Sequence, residues 1–173
     1  GDHLGRWEDG LGLLERLRAH PVCAAEPAAR AAVERGRAVL LTCAGRTAEA
    51  TAAQAAGHPG GLPEASTRGR ILAGVASALL GQRRVEEAAV AFREAVALAS
   101  YGPAADDPLV RVLAVTGNNL ACELEEAPDR AAGRATPEQD ALLELAARTA
   151  RAMWERCGTW TNVYLAEYRL VMT

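Results

Sequence analysis

Apolar positions return at helical intervals along almost the whole of this chain, most regularly from Gly69 to Ala104, GRILAGVASALLGQRRVEEAAVAFREAVALASYGPA. Leu72, Val75 and Leu79 follow the i, i+3, i+4 step; Val85, Ala88, Ala89, Phe92, Ala95 and Val96 resume it after a break at Gly81 to Arg84. The pattern predicts two short amphipathic helices joined by a tight turn. Ala76, Ala88 and Ala95 let helix backbones approach closely, and Phe92, the one Phe of the chain, stands where a large wedge is needed.

The rest of the chain reads the same way. Leu4, Trp7, Leu11, Leu14 and Leu17 form one stripe, ended by His20-Pro21, which predicts a lone helix over 5–21. Residues 26–57 read as a helix pair broken at Ala44-Gly45-Arg46, its second helix Ala-rich from Thr47 to Ala56. The stretch from His58 to Thr67 holds two Pro and two Gly and reads as a connector, with Ser66 or Thr67 capping the next helix. Asp107 before Pro108 starts a helix that runs to about Glu126. Its apolar stripe is interrupted by Thr116, Asn118 and Asn119. After a polar loop over 126–135, Thr136-Pro137-Glu138-Gln139 forms a capping box. Leu142, Leu145, Ala146, Thr149, Met153 and Cys157 then line one face until Gly158. Trp160 to Met172 is the last helix, with Trp160, Val163, Tyr164, Tyr168 and Val171 at helical spacing. The expectation is an all-α domain over 1–173, of seven or eight helices in antiparallel neighbours.

The stretch over 67–102 resembles one tetratricopeptide repeat (TPR), through Leu72, Val75, Ala76 and Leu79 in its first helix and Ala88, Phe92 and Ala95 in its second. It departs from that pattern where Leu72 replaces an opening aromatic, Ala76 a Gly and Ser100 a closing Pro. Residues 5–21 look like the second helix of such a repeat, with Trp7 and Gly10 in the aromatic and small slots. Residues 26–57 look like a degenerate repeat in which Gln54 takes the place of the wedge. Residues 107–157 look like a pair with a long internal loop, Gly117 in its small slot, and 160–172 like a capping helix or an exposed aromatic surface. The resemblance implies a right-handed superhelical solenoid of antiparallel helix pairs; the alternative on periodicity alone is an ordinary antiparallel bundle.

Composition narrows the function. All 19 basic residues are Arg, the formal charge is −3, and no basic cluster exceeds Arg83-Arg84, so nucleic acid is not an expected partner. No apolar run reaches the ~20 residues of a membrane span, which makes a cytoplasmic protein the default expectation. Cys23, Cys43, Cys122 and Cys157 are scattered without a CxxC pair and read as small buried hydrophobes rather than disulfide or zinc ligands. His3, His20 and His58 sit beside Gly or Pro and read as solvated. No nucleophile, phosphate or metalloprotease motif is present, so neither catalysis nor a cofactor is expected.

A non-catalytic interaction module therefore remains. The resemblance implies a concave groove formed by the first helix of each pair, directed by Arg35, Val39 and Thr42, then Arg70, Ala73 and Ser77, then Arg111, Ala114 and Asn118. Arg35, Arg70, Ser77, Arg111 and Asn118 would together suit an acidic or C-terminal peptide segment of another protein, since Arg meets a carboxylate with two bonds and Asn meets a peptide backbone. The register matters, because a slip of one residue turns each side chain by about 100°. The alternative is a structural role in which the chain forms a homodimer through its N-terminal helix, on Trp7, Leu11 and Leu14, or through its aromatic C-terminus.

Overall fold

A computed structural model describes residues 5–58 and 62–172. Leu4, His3 and loop positions 59–61 lie outside them. The described residues form ten α-helices and a short 3-10 turn, with no strand. These are α1 (Trp7–Arg18), α2 (Pro21–Ala25), α3 (Pro27–Cys43), α4 (Thr47–Ala56), α5 (Glu64–Gly81), α6 (Val85–Leu98), α7 (Pro108–Glu125), α8 (Pro128–Ala131), α9 (Pro137–Cys157) and α10 (Trp160–Met172). The all-α expectation holds, but the count of seven or eight is corrected to ten. The extra two, α2 and α8, are brief and lie where the sequence reads as a helix stop and a loop. Each begins at a Pro, whose missing N–H is not needed in a first turn and whose φ already suits a helix. Pro21 thus ends one helix and opens another, with His20 Nδ1 accepting the Val22 N–H at 3.3 Å.

Three packed pairs carry the core: α3 with α4, α5 with α6, and α7 with α9. Within the molecule α3, α5 and α7 lie side by side, while α1 packs on α3 and α10 on α9. The α5–α6 pair is antiparallel, since a Cβ on Gly69 near the start of α5 would lie 3.5 Å from the Ala95 carbonyl near the end of α6. Phe92, Ala88 and Ala95 are fully buried, as the pattern of the central stretch predicts. Gly117 marks the closest approach of α7 to α9: a Cβ there would fall 2.7 Å from the Ala146 carbonyl oxygen. On α9, Leu143, Ala147 and Ala150 are buried beside the predicted Leu142, Ala146 and Thr149, because α9 is contacted by α6, α7 and α10 at once.

The caps follow chemistry in two places and depart from it in one. Thr136 and Gln139 form the reciprocal capping box, and the Asp107 carboxylate accepts the Leu109 N–H at 2.8 Å. Ser66 and Thr67 do not cap α5, which begins earlier, at Glu64. They lie in its first turns and are fully buried. Ser66 donates to Asp107 Oδ1 at 2.6 Å, and Tyr101 donates to Oδ2 at 2.7 Å, which ties the starts of α5 and α7 to the turn after α6.

Both ends differ from expectation. On α1 the stripe proposed for self-association faces its own chain: Leu11 is buried, and Trp7 and Leu14 are half-buried against the main core. Here α3 covers the stripe that a first helix of a repeat would cover. An ion cluster fixes the contact, for Glu34 is 2 % exposed and pairs with Arg37 at 2.6 Å and with Arg18 of α1 at 2.9 Å. The outward apolar residues of α1 are Leu13 and Leu17. On α10 the aromatic stripe turns outward and the smaller Ala166, with half-buried Val163 and Leu170, turns in.

Candidate functional site

The side-by-side packing of α1, α3, α5 and α7 leaves a trough of about 430 Å³ across them. Leu13 and Leu14 form one wall, Gly36 and Val39 come from α3, Gly74 and Ser77 from α5, and Thr116 from α7. Helix-interior glycines are unfavourable by about 0.5–1 kcal/mol relative to Ala, so three on one surface, Gly10, Gly36 and Gly74, need a reason. Close packing supplies it for Gly36 and Gly74. A Cβ on Gly74 would lie 2.9 Å from Val39 Cγ2, and one on Gly36 would lie 3.3 Å from Leu14 Cδ1. The glycines let α1, α3 and α5 draw together and leave backbone as part of the trough's surface.

Arg35 and Arg70 stand one helical turn before Val39 and Gly74, on the same sides of α3 and α5. Both are half-buried. Neither forms an ion pair with a described residue, and Arg70 Nε is buried without a hydrogen-bond acceptor. Burial pushes the pKa of Arg35 down, and the positive charge of Arg70 pushes it further. Burial likewise lowers that of Arg70, with Asp107 opposing. Asp107 is close enough to be felt but is already committed to Ser66, Tyr101 and the Leu109 N–H. Burial raises the Asp107 carboxyl; those hydrogen bonds, together with Arg70, outweigh it and leave the group below the usual carboxylate range. Tyr101, desolvated and donating to that carboxylate, is pushed up to about 12. The result is two neighbouring guanidinium groups, partly withdrawn from water, whose forks lack carboxylate partners.

The other groove residues separate. Ser77 and Val39 line the trough, Thr42 is exposed, and Ala73 and Ala114 are wholly buried and offer nothing to a ligand. On α7 the trough residue is Thr116, and Asn118 lies two residues on, about 200° around the helix. Its amide instead faces Cys122 Sγ at 3.9 Å, the sulfur that Arg169 of α10 approaches to 2.6 Å. Arg111 shares that side of α7, seven residues before Asn118, and its charge acts on Cys157 at the end of α9. The structure thus brings Arg35, Arg70 and Ser77 onto one surface and leaves Arg111 and Asn118 on another. Sequence reasoning missed Leu13, Gly36, Gly74 and Thr116; the isolated glycines inside two predicted helices were the available signal.

Other chemistry is sparse. Cys23 and Cys43 are buried, whereas Cys122 and Cys157 are only half-buried, which corrects the reading of all four as core residues. Burial pushes the Cys157 thiol up, against the pull of Arg111 and Arg156. His20 and His58 are exposed; His58 Nδ1 lies 2.9 Å from Thr67 Oγ1. Among the described residues no group of His, Cys, Asp and Glu is arranged to hold a metal, and no helix is long and apolar enough to cross a membrane. None of the family models, curated proteins and solved structures compared with the chain matches it.

Proposed function

We propose that the chain is a TPR-like helical array and a non-catalytic binding module, whose α1–α3–α5–α7 surface holds an acidic or C-terminal segment of another protein. The order of packing supports the array: α3, α5 and α7 lie in a row, and each packs on a following partner, α4, α6 or α9. The observation that carries the binding role is the Arg35–Arg70 pair. Two like charges held together and partly desolvated are unfavourable unless an anion joins them. A carboxylate between them would accept the free fork donors, and each charge-assisted bond contributes about 1.5–3 kcal/mol. The apolar wall at Leu13 and Leu14 and the glycine backbone would then take the residues before that carboxylate.

The test is fluorescence anisotropy with an array of short acidic peptides carrying leucines, each with a free and an amidated C-terminus. Free-carboxylate peptides bind the wild type. Replacing Arg35 and Arg70 together by Gln weakens them at least tenfold, while replacing Arg111 and Asn118 by Ala changes affinity less than about twofold. An array with no binder, or one whose binders ignore the Arg35/Arg70 replacement, refutes the reading.

A further inference from the structure

The outer face of α10 carries the four most exposed large apolar residues among the described residues, and nothing in the peptide-binding reading uses it. Trp160 is 80 % exposed, Tyr164 62 %, Tyr168 61 % and Val171 82 %, at positions that fall on one stripe, with Leu165 beside it. Scattered exposed apolar residues are ordinary, but a continuous stripe along a whole helix is not. The charges of α10 make the stripe more unusual. Glu167 pairs with Arg151 at 2.7 Å, and Arg169 with Glu125 at 3.2 Å, so both are engaged with the protein's own α9 and α7. Arg169 lies on the far side of the helix, and Glu167, half exposed at the edge of the stripe, is held by Arg151.

We infer that this face pairs with the same face of a second copy of the chain, α10 against α10, antiparallel about a two-fold axis. Two arguments select a second copy. The first is area: with aromatic side chains carrying ~150–250 Å² each, the stripe at these exposures offers roughly 600 Å² per copy. Two-fold pairing buries at most about 1,200 Å² in all, which is the lower edge of the range of specific interfaces. The second is self-complementarity. A two-fold interface needs one patch to match itself read backwards. Reversed, this stripe sets Tyr164 against Tyr168 of the second copy and Trp160 near its Val171, so large residues alternate around the axis. Glu167, the one acid at the edge of this face, is neutralised by Arg151, so the pairing sets no unpaired like charges of α10 against each other. Arg35, Arg70 and the trough belong to other helices, and this inference stands or falls apart from the peptide-binding reading.

Sedimentation velocity of the full chain tests it at about 1 to 100 µM, the range in which an interface at the small end of the specific class assembles. The wild type shifts from monomer to dimer. Tyr164→Glu with Tyr168→Glu keeps the circular dichroism spectrum and shifts the midpoint of dimerisation at least tenfold upward, whereas Leu13→Glu with Leu17→Glu on α1 leaves it unchanged. A wild type still monomeric at about 100 µM overturns the inference and hands the face to a different partner. A dimer that survives the tyrosine replacements, or that is lost with the α1 replacements, overturns it in favour of another interface.

Discussion

α6 and α10 present the same sequence signal and use it in opposite ways. Each carries large apolar residues at helical spacing, yet Phe92 of α6 is fully buried while Trp160, Tyr164 and Tyr168 of α10 face water. The difference lies in the rest of each helix. Around Phe92 are Ala88, Ala89, Ala91 and Ala95, all buried, and the charged Glu86, Glu87 and Arg93 are exposed, so only one rotation hides the apolar side. On α10 two stripes compete about one step apart, 160-164-168-171 and 163-166-170, and the surface it docks on decides between them. That surface presents Arg151, Glu125 and Cys122, which engage Glu167 and Arg169 and bring Ala166 inward with them. Hydrophobic spacing locates a helix; the partner's charges set which side of it is buried.

The largest effect that would break this contrast is on the buried side. Phe92→Ala removes a fully enclosed ring between packed helices and is expected to cost about 3–5 kcal/mol by chemical denaturation. A loss under about 1 kcal/mol would place Phe92 in a looser environment than the packing requires.

Next in size is the junction of α5, α7 and the turn after α6. Asp107→Ala removes the cap of α7 and leaves the buried Ser66 hydroxyl without its acceptor, an expected loss of about 2–4 kcal/mol. The pH dependence follows in sign. A carboxylate whose pKa is lowered in the folded state contributes stability that is fully present above its unfolded pKa and is lost as pH falls through its folded pKa. Wild type should therefore lose stability below about pH 4 more steeply than Asp107→Asn, which cannot titrate. Parallel curves for the two proteins would mean that Asp107 is not held in its charged form.

The smallest effect belongs to α10. Tyr164→Ser and Tyr168→Ser should each change stability by less than about 0.5 kcal/mol, read below the dimer's assembly range, since neither side chain is part of the core. A cost near that of Phe92→Ala would mean that the stripe packs inside its own chain and would remove the contrast.

The sequence was most legible where one arrangement satisfies every local preference. The capping box at Thr136, the cap at Asp107, the wedge at Phe92 and the close approach at Gly117 each follow from residue chemistry at a fixed spacing, and each is present. It was least legible where the choice depends on a surface remote in sequence. Ser66 and Thr67 read as caps because hydroxyls suit caps, but Asp107, 41 residues past Ser66, takes the Ser66 hydroxyl. The α1 stripe of Trp7, Leu11 and Leu14 reads as a surface for self-association, and α3 covers it. In the candidate site Val39 of α3 and Ser77 of α5 line the trough, Arg35 and Arg70 lie near enough to feel each other's charge, and on α7 Thr116 rather than Asn118 reaches the trough. A 100° error per residue is enough to exchange one face for another, and only packing fixes it.

The central claim is that a carboxylate-bearing segment sits on the α3–α5 seam. Mapping amide and methyl chemical shifts of the isotope-labelled protein, during titration with the tightest free-carboxylate peptide of the array, examines this most directly. The account predicts shifts concentrated at Arg35, Gly36, Val39, Arg70, Gly74 and Ser77, saturating together, with Tyr164 and Tyr168 unmoved. Shifts confined to α10, or spread over the surface without saturation, would contradict it.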